Sequence, residues 1–320
     1  MLPRSGNGAR ASARSLTPPG SRVNSRTLAG FAAAGLTVLI WASYPVATRG
    51  SLSGSASPQD LVFLRFAVGS LLFLPWLLLR SRGLAAGTWR CGISLALCQG
   101  AGMAALVIFG LQLAPASHAA ALGPGTSPAW AALLGLLLFS RKPGVRQVLG
   151  ALVTLAGIMI LVFKSGDGLT ASVLAGDAMF LAASALGAIY VLQMRESAID
   201  SLHGAAMVAI YSSAVVIPWY FWSSSGTLAR MDMVEIAWQA VWQGVLIGFV
   251  SLVAMNHAIA RLGAERVCAM FSLVPVLTAI LGYLFLAEAL SVSDTAGILT
   301  ISLGVAVATV PMRTLRTAAA

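Results

Sequence analysis

From residue 28 onward the chain is a succession of ten apolar runs, each long enough to cross a bilayer. They cover approximately 28–49, 58–80, 88–111, 115–139, 143–163, 171–195, 200–222, 234–261, 263–287 and 294–312. At 1.5 Å of rise per residue, a helix needs about 20 mostly apolar residues to span the hydrocarbon layer. Several connections are only two to five residues long, which leaves no room for a domain outside the membrane. Charge points the same way: only 9% of the 320 residues are charged and 58% are apolar, too little charge to cover a soluble surface. The expected fold class is all-α integral membrane, with ten transmembrane helices.

Lys and Arg concentrate in cytosolic loops. With ten spans both ends lie on one side, and sixteen of the 20 basic residues fall there. Arg49, Lys164 and Arg230 fall on the other side, and Arg65 lies within a span. Both termini are therefore expected in the cytosol, N-in and C-in. Residues 1–27 hold five arginines, many serines and no acidic residue. They read as a disordered basic cytosolic tail, since Pro18 and Pro19 oppose the amphipathic helix of a transit peptide. No short apolar core with a cleavage site precedes the first span, so no removable signal peptide is expected. The net charge of +10 forms no basic stripe interleaved with aromatics, which argues against nucleic acid. Cys91, Cys98 and Cys268 have no metal-like spacing and are expected to be buried free thiols.

Pro128, Gly135, Gly150 and Gly157 stand at separations that recur in Pro275, Gly282, Gly297 and Gly304, 147 residues later. Near the start of each half, Ala42-Ser43-Tyr44 and Ala188-Ile189-Tyr190 match, each Tyr being followed five residues on by Arg49 or Arg195. The chain thus divides into two five-span units, 28–163 and 171–312. Five is odd, so the second unit enters the membrane from the opposite side as an inverted repeat. Secondary transporters use this arrangement, with the substrate at the repeat interface and two near-mirror-image open states.

The sequence resembles the EamA family of the drug/metabolite transporter superfamily over almost all of 28–312. The resemblance rests on Trp41-Ala42-Ser43-Tyr44, on Leu64-Arg65-Phe66, and above all on Asn256 through Val310. That last stretch holds Ala258-x-x-x-Leu262-Gly263-Ala264, Pro275, Leu286-Ala287-Glu288, Gly297 and Gly304. The first unit departs from the pattern, with Arg141 where the family often has Glu. The resemblance implies a ten-helix transporter of small metabolites, often an amino-acid exporter, with an aromatic amino-acid branch as one candidate. It also implies a multi-pass protein of the plasma membrane, a bacterial inner membrane, with a small-molecule substrate and membrane lipid as its partners.

Discontinuous helices point to transporter sites. Span four holds Gly123-Pro124-Gly125-Thr126-Ser127-Pro128 and span nine holds Ser272-Leu273-Val274-Pro275. These read as hinges at Gly123, Pro124, Gly125, Pro128 and Pro275, with Thr126, Ser127 and Ser272 on a binding wall. A kinked packing helix is the rival. Gln99 and Gln243 fall near the centres of spans three and eight, with Met103 one turn beyond Gln99. Their amides suit a substrate carboxylate or amine, or equally act as glue between helices. Trp41, Tyr44, Tyr190 and Trp242 could line a cavity, whereas Trp219, Tyr220 and Trp222 read as an interfacial belt.

Charge within a span is costly and defaults to a functional hypothesis. Arg65 lies about 10 Å into span two, and Asp177 at similar depth in span six, so a mutual ion pair is one expectation. His118 and His257 read as caps or hydrogen-bonding groups, and Glu288 as interfacial. Gly150, Gly157, Gly297 and Gly304 give spans five and ten close-packing faces away from the substrate path. No metal cluster and no cofactor site is suggested. Gly125-Thr126-Ser127-Pro128-Ala129 lacks the second Gly of a nucleophile elbow, so no enzyme is expected. Without a midplane carboxylate, a facilitative exporter of aromatic or neutral amino acids is the first reading; the oligomeric state is left open, a monomer being plausible. A proton-coupled multidrug or cation exporter, and a non-transporting receptor or structural membrane protein, are the alternatives.

Overall fold

A computed structural model describes residues 25–80, 89–140, 142–164, 170–196, 199, 201–223, 227–262 and 264–309. Most of the basic tail and Arg141 lie outside the described residues. All ten apolar runs form helices long and apolar enough to cross a membrane. Spans one and two are α1 (Ser25–Leu52) and α2 (Pro58–Arg80). Span three is α3 (Trp89–Gln99) with α4 (Ala101–Leu113), and span four is α5 (Ala116–Leu122) with α6 (Ser127–Phe139). Spans five, six and seven are α7 (Val145–Lys164), α8 (Ala171–Glu196) and α9 (Ser201–Ser223). Span eight runs through α10 (Met233–Gln239), a π-helical stretch (Ala240–Val250) and α11 (Ser251–Leu262). Span nine is α12 (Ala264–Phe271) with α13 (Leu273–Leu286), and span ten is α14 (Val292–Thr309). The near face below is the one where α1 begins and α14 ends; the far face is the opposite one.

The packing is twofold. Span one lies against span eight as span six lies against span three. Spans two and eight pair as spans seven and three do, and spans one and nine pair as spans six and four do. Spans two and seven, four and nine, and five and ten meet their own counterparts. Exchanging the halves thus reproduces the contacts, as an inverted repeat requires.

The glycine faces of α7 and α14 meet as the sequence spacing anticipates. A Cβ on Gly150 would lie 2.6 Å from Gly304 O, and one on Gly157 would lie 2.7 Å from Ile301 N. Only hydrogen at these positions allows the two backbones to touch. Elsewhere the outward faces carry large apolar side chains such as Leu79, Phe163 and Val292, suited to lipid rather than water.

Short local signals fix where several helices start. Ser57 N donates to Asp60 Oδ2 (2.9 Å) while Asp60 N donates to Ser57 Oγ (3.3 Å). The same reciprocal cap joins Ser291 and Asp294 at α14, at 3.0 and 3.1 Å. Such caps satisfy the free amides of a first turn. Asp60 also accepts from Tyr220 Oη at 2.7 Å. Tyr220 is therefore a buried strut between α2 and α9 rather than part of an interfacial belt, whereas Trp222 is 92% exposed as a belt residue would be. Cys98 is buried but Cys91 is only half-buried, and the side chain of Cys268 lies outside the described residues.

The two largest apolar clusters fill the far-face half. One packs Leu111, Leu122, Leu161, Phe180 and Ile301, the other Leu61, Phe66, Ile108, Val216 and Ile247. The near-face half is open between the repeats, and there the cavity lies.

Candidate functional site: a two-compartment cavity between the repeats

Four membrane spans break or deform around the molecular centre. In span four Pro124 removes a donor and Gly125 sits where a Cβ would strike Ala121 O, so the ladder stops at Leu122 and restarts at Ser127. The freed carbonyls find partners: Thr126 Oγ1 donates to Leu122 O at 2.5 Å, and Ser184 Oγ donates to Gly123 O at 2.7 Å. Span nine turns at Ser272, whose Oγ donates to Ala269 O at 2.7 Å. The break in span three was not anticipated. There Gly100 leaves helical geometry with φ −97° and ψ −123°, and Ser212 Oγ accepts from Ala101 N at 3.1 Å. A Cβ on Gly100 would overlap that hydroxyl; a lone glycine in an apolar run gives no further sign. The π-helical stretch of span eight is also invisible to periodicity, because it adds no residue type of its own. Such stretches gather at functional sites.

These breaks surround a cavity in two connected compartments. The outer one, about 300 Å³, is walled by Trp41, Met103, Ser127, Tyr190, Asn256 and Phe271 among others. Its wall includes the near-face ends of α8 and α11 and Val267 and Phe271 of α12, so it faces the near side. The inner one, about 70 Å³, reaches Tyr44, Arg65, Val107, Ala183, Ile247 and Ser251. Trp41, Gln99, Met103, Gly123 and Pro124 border both. Trp41 stacks on Phe271 with ring centroids 5.4 Å apart.

Nine of the residues singled out from sequence therefore converge: Trp41, Tyr44, Arg65, Gln99, Met103, Gly123, Pro124, Ser127 and Tyr190. Others do not border either compartment. Thr126 stands behind the wall, 1% exposed, and serves the break. Gln243 has no exposed surface and donates to Thr48 Oγ1 at 2.8 Å and to Gln239 Oε1 at 3.2 Å. Gln239 in turn donates to Ser51 Oγ at 2.7 Å, so the two amides bind span eight to span one. Trp242 turns toward Trp238 in an edge contact at 5.6 Å, and Ser272 is spent on its own turn. Pro128, Gly125 and Pro275 shape the breaks without facing the space. Ser184, Asn256 and Phe271 were missed, being ordinary residues on helices whose inward face only packing defines.

At the far face the ends of several spans are tied together. Arg49 Nε meets Glu288 Oε1 at 2.6 Å, and Arg49 Nη1 donates to Leu111 O (2.6 Å) and Ala114 O (2.7 Å). Glu288 also accepts from Ala116 N at 3.2 Å. One ion pair therefore ties together the far ends of spans one, three, four and nine. Asp177 does not meet Arg65: its Oδ1 lies 2.9 Å from His118 Nδ1, with both side chains buried. Arg65 Nη1 donates instead to Tyr44 Oη at 3.1 Å.

The profile of the EamA-like transporter family matches residues 28–163 and again 174–310. The chain belongs to the EamA-like transporter family. The two matches coincide with the two repeats, and members of the family carry small solutes across membranes. No curated protein resembles the sequence closely enough to count as a relative. One solved structure, described as a crystal structure of a protein, is similar with TM-score 0.61 at 22% identity, covering 91% of this chain and 99% of that one. At that identity the likeness concerns the fold alone. This EamA-like chain is thus a multi-pass membrane transporter.

Proposed function

We propose that the protein is an alternating-access exporter of small metabolites, with aromatic or neutral amino acids as its first candidates. It would sit in a bacterial inner membrane with both termini in the cytosol, loading substrate from the near face. The observation that supports this most is a cavity between two inverted repeats, open toward the near face, with the far ends of the spans beyond it tied by the Arg49–Glu288 pair. Trp41, Tyr44 and Tyr190 offer flat apolar contact, and Gln99 and Ser127 offer polar contact, as a small-molecule site needs. Among the described residues no Asp or Glu borders the cavity, which favours neutral or zwitterionic cargo over lipophilic cations and favours facilitated flow.

Counterflow in proteoliposomes tests the reading: purified protein, vesicles preloaded with mixed amino acids, labelled amino acids outside, with and without a pH gradient. Saturable exchange of an aromatic or neutral amino acid, indifferent to the gradient, is expected. Gradient-dependent movement of a cationic dye would instead favour the proton-coupled reading, for which the buried His118–Asp177 pair is the place to look.

A further inference from the structure

We propose that the inner compartment is a carboxylate site built from Arg65 and Gln99, and that the cargo is a small organic acid held by its carboxylate, amino acids included. Its role in transport rests on the function proposed above; its chemistry does not. Arg65 borders the inner compartment and the smaller pocket beside it, together with Gln99. Its guanidinium lies over the Tyr44 and Phe66 rings at 5.4 and 5.9 Å, and one of its nitrogens donates to Tyr44 Oη. All of these partners are neutral. A guanidinium carries five N–H donors in a fork that matches a carboxylate, and an unpaired cation at this depth is costly. No carboxylate pairs with Arg65 among the described residues.

Gln99 supplies the second sign. It is only 9% exposed, it borders both compartments and the smaller pocket, and its side-chain amide has no hydrogen bond among the described residues. The amide opens on the cavity rather than on a neighbouring helix, and Nε2 is free to donate to the second oxygen of a carboxylate. The break at Gly100 adds to this, because α4 begins at Ala101 and its positive end lies at the same depth. Asp60, Asp177, Asp232, Glu235, Glu288 and Asp294 belong to far-face segments, and Glu196 and Glu265 to the near-face ends of α8 and α12; among the described residues no carboxylate borders the inner compartment to compete with a ligand.

Size divides the ligand between the compartments. About 70 Å³ holds a carboxylate head but not a whole metabolite, whose body would extend past Trp41 into the outer 300 Å³. An ammonium group finds no carboxylate along this path among the described residues. The site therefore recognises the acid end and is indifferent to the amine.

Three probes with one aromatic body separate these ends: indole-3-propionate, tryptophan and tryptamine. Binding to the purified full chain in detergent is measured by equilibrium dialysis, beside counterflow of the same compounds. The two acids are expected to bind about tenfold or more tighter than the amine, as a charge-assisted pair implies. Arg65→Gln should erase that preference, Arg65→Lys should keep part of it, and Gln99→Leu should weaken the acids alone. Melting temperatures show which variants are folded, and Gln99→Leu keeps the test alive if Arg65→Gln is not. Equal binding of amine and acid, a preference surviving in a folded Arg65→Gln protein, or no binding of any probe overturns the carboxylate site. Acid binding without counterflow would uphold the site and sink the transport reading. Counterflow of tryptamine alone would do the reverse.

Discussion

Trp41 and Gln243 are both polar-tipped side chains at mid-depth, yet they meet different surroundings. Trp41 is on the cavity wall, stacked on Phe271, while Gln243 is sealed between spans one and eight. Their alanine variants should therefore fail differently. Trp41→Ala is expected to lower counterflow about tenfold, the factor that ~1.4 kcal/mol of aromatic contact gives, with melting little changed. Gln243→Ala leaves Thr48 and Gln239 without a donor in a dry interface, which costs about 1–3 kcal/mol. Thermal unfolding in detergent should register that loss, with flux per folded molecule retained. A Gln243→Ala protein of normal stability that has lost counterflow would return Gln243 to the substrate path.

Among elements, the α7–α14 pair depends most directly on single atoms. Gly157→Val places a branched side chain where even a Cβ lies 2.7 Å from backbone. The helices must separate, at a cost of about 1–3 kcal/mol or more. Ser302→Ala on the same α14 is the control: its Oγ is buried with no partner among the described residues, so its removal should be neutral or slightly stabilising. Melting curves of the two variants check both. The breaks obey similar logic. Gly100 is held against Ser212 by a contact that a Cβ would abolish, so Gly100→Ala should deform the wall beside Gln99 and depress counterflow more than stability.

At the scale of the molecule, the two halves are related in fold but not in charge. Arg49 and Glu288 tie the far face together, whereas the positions that the repeat relates to them, Arg195 and Arg141, are both cationic. The same ion pair cannot form between those two positions, so on the alternating-access reading proposed above the near-open arrangement should be the favoured one. Breaking the far-face pair should redress the balance. In a background with Cys91, Cys98 and Cys268 replaced, a Val107→Cys probe in the inner compartment should be shielded from a membrane-impermeant maleimide added at the far side. Adding Glu288→Gln or Arg49→Gln should raise its labelling rate about tenfold, as loss of ~1–2 kcal/mol of a partly exposed charged pair implies. An unchanged rate would mean that the apolar far-face clusters, not the ion pair, hold the gate.

The sequence by itself determined the helices, their number, the twofold repeat and the break in span four. Each of these is written in near-neighbour chemistry: twenty apolar residues in a row, glycines seven apart, two prolines flanked by glycines. It also picked out Trp41, Tyr44, Arg65, Gln99, Ser127 and Tyr190 on the cavity wall, because a polar or aromatic side chain at mid-depth has few places to be. Only the tertiary structure decided which of those side chains face the cavity and which face another helix. Gln99 and Gln243 are indistinguishable as letters, but one ends at a break beside open space and the other opposes Thr48. The same holds for Asp177, which meets His118 rather than Arg65, and for Glu288, which meets Arg49 across the bundle. A side chain's partner depends on how ten helices rotate about their axes, and that rotation is set by the sum of close contacts across the fold. No single segment carries it.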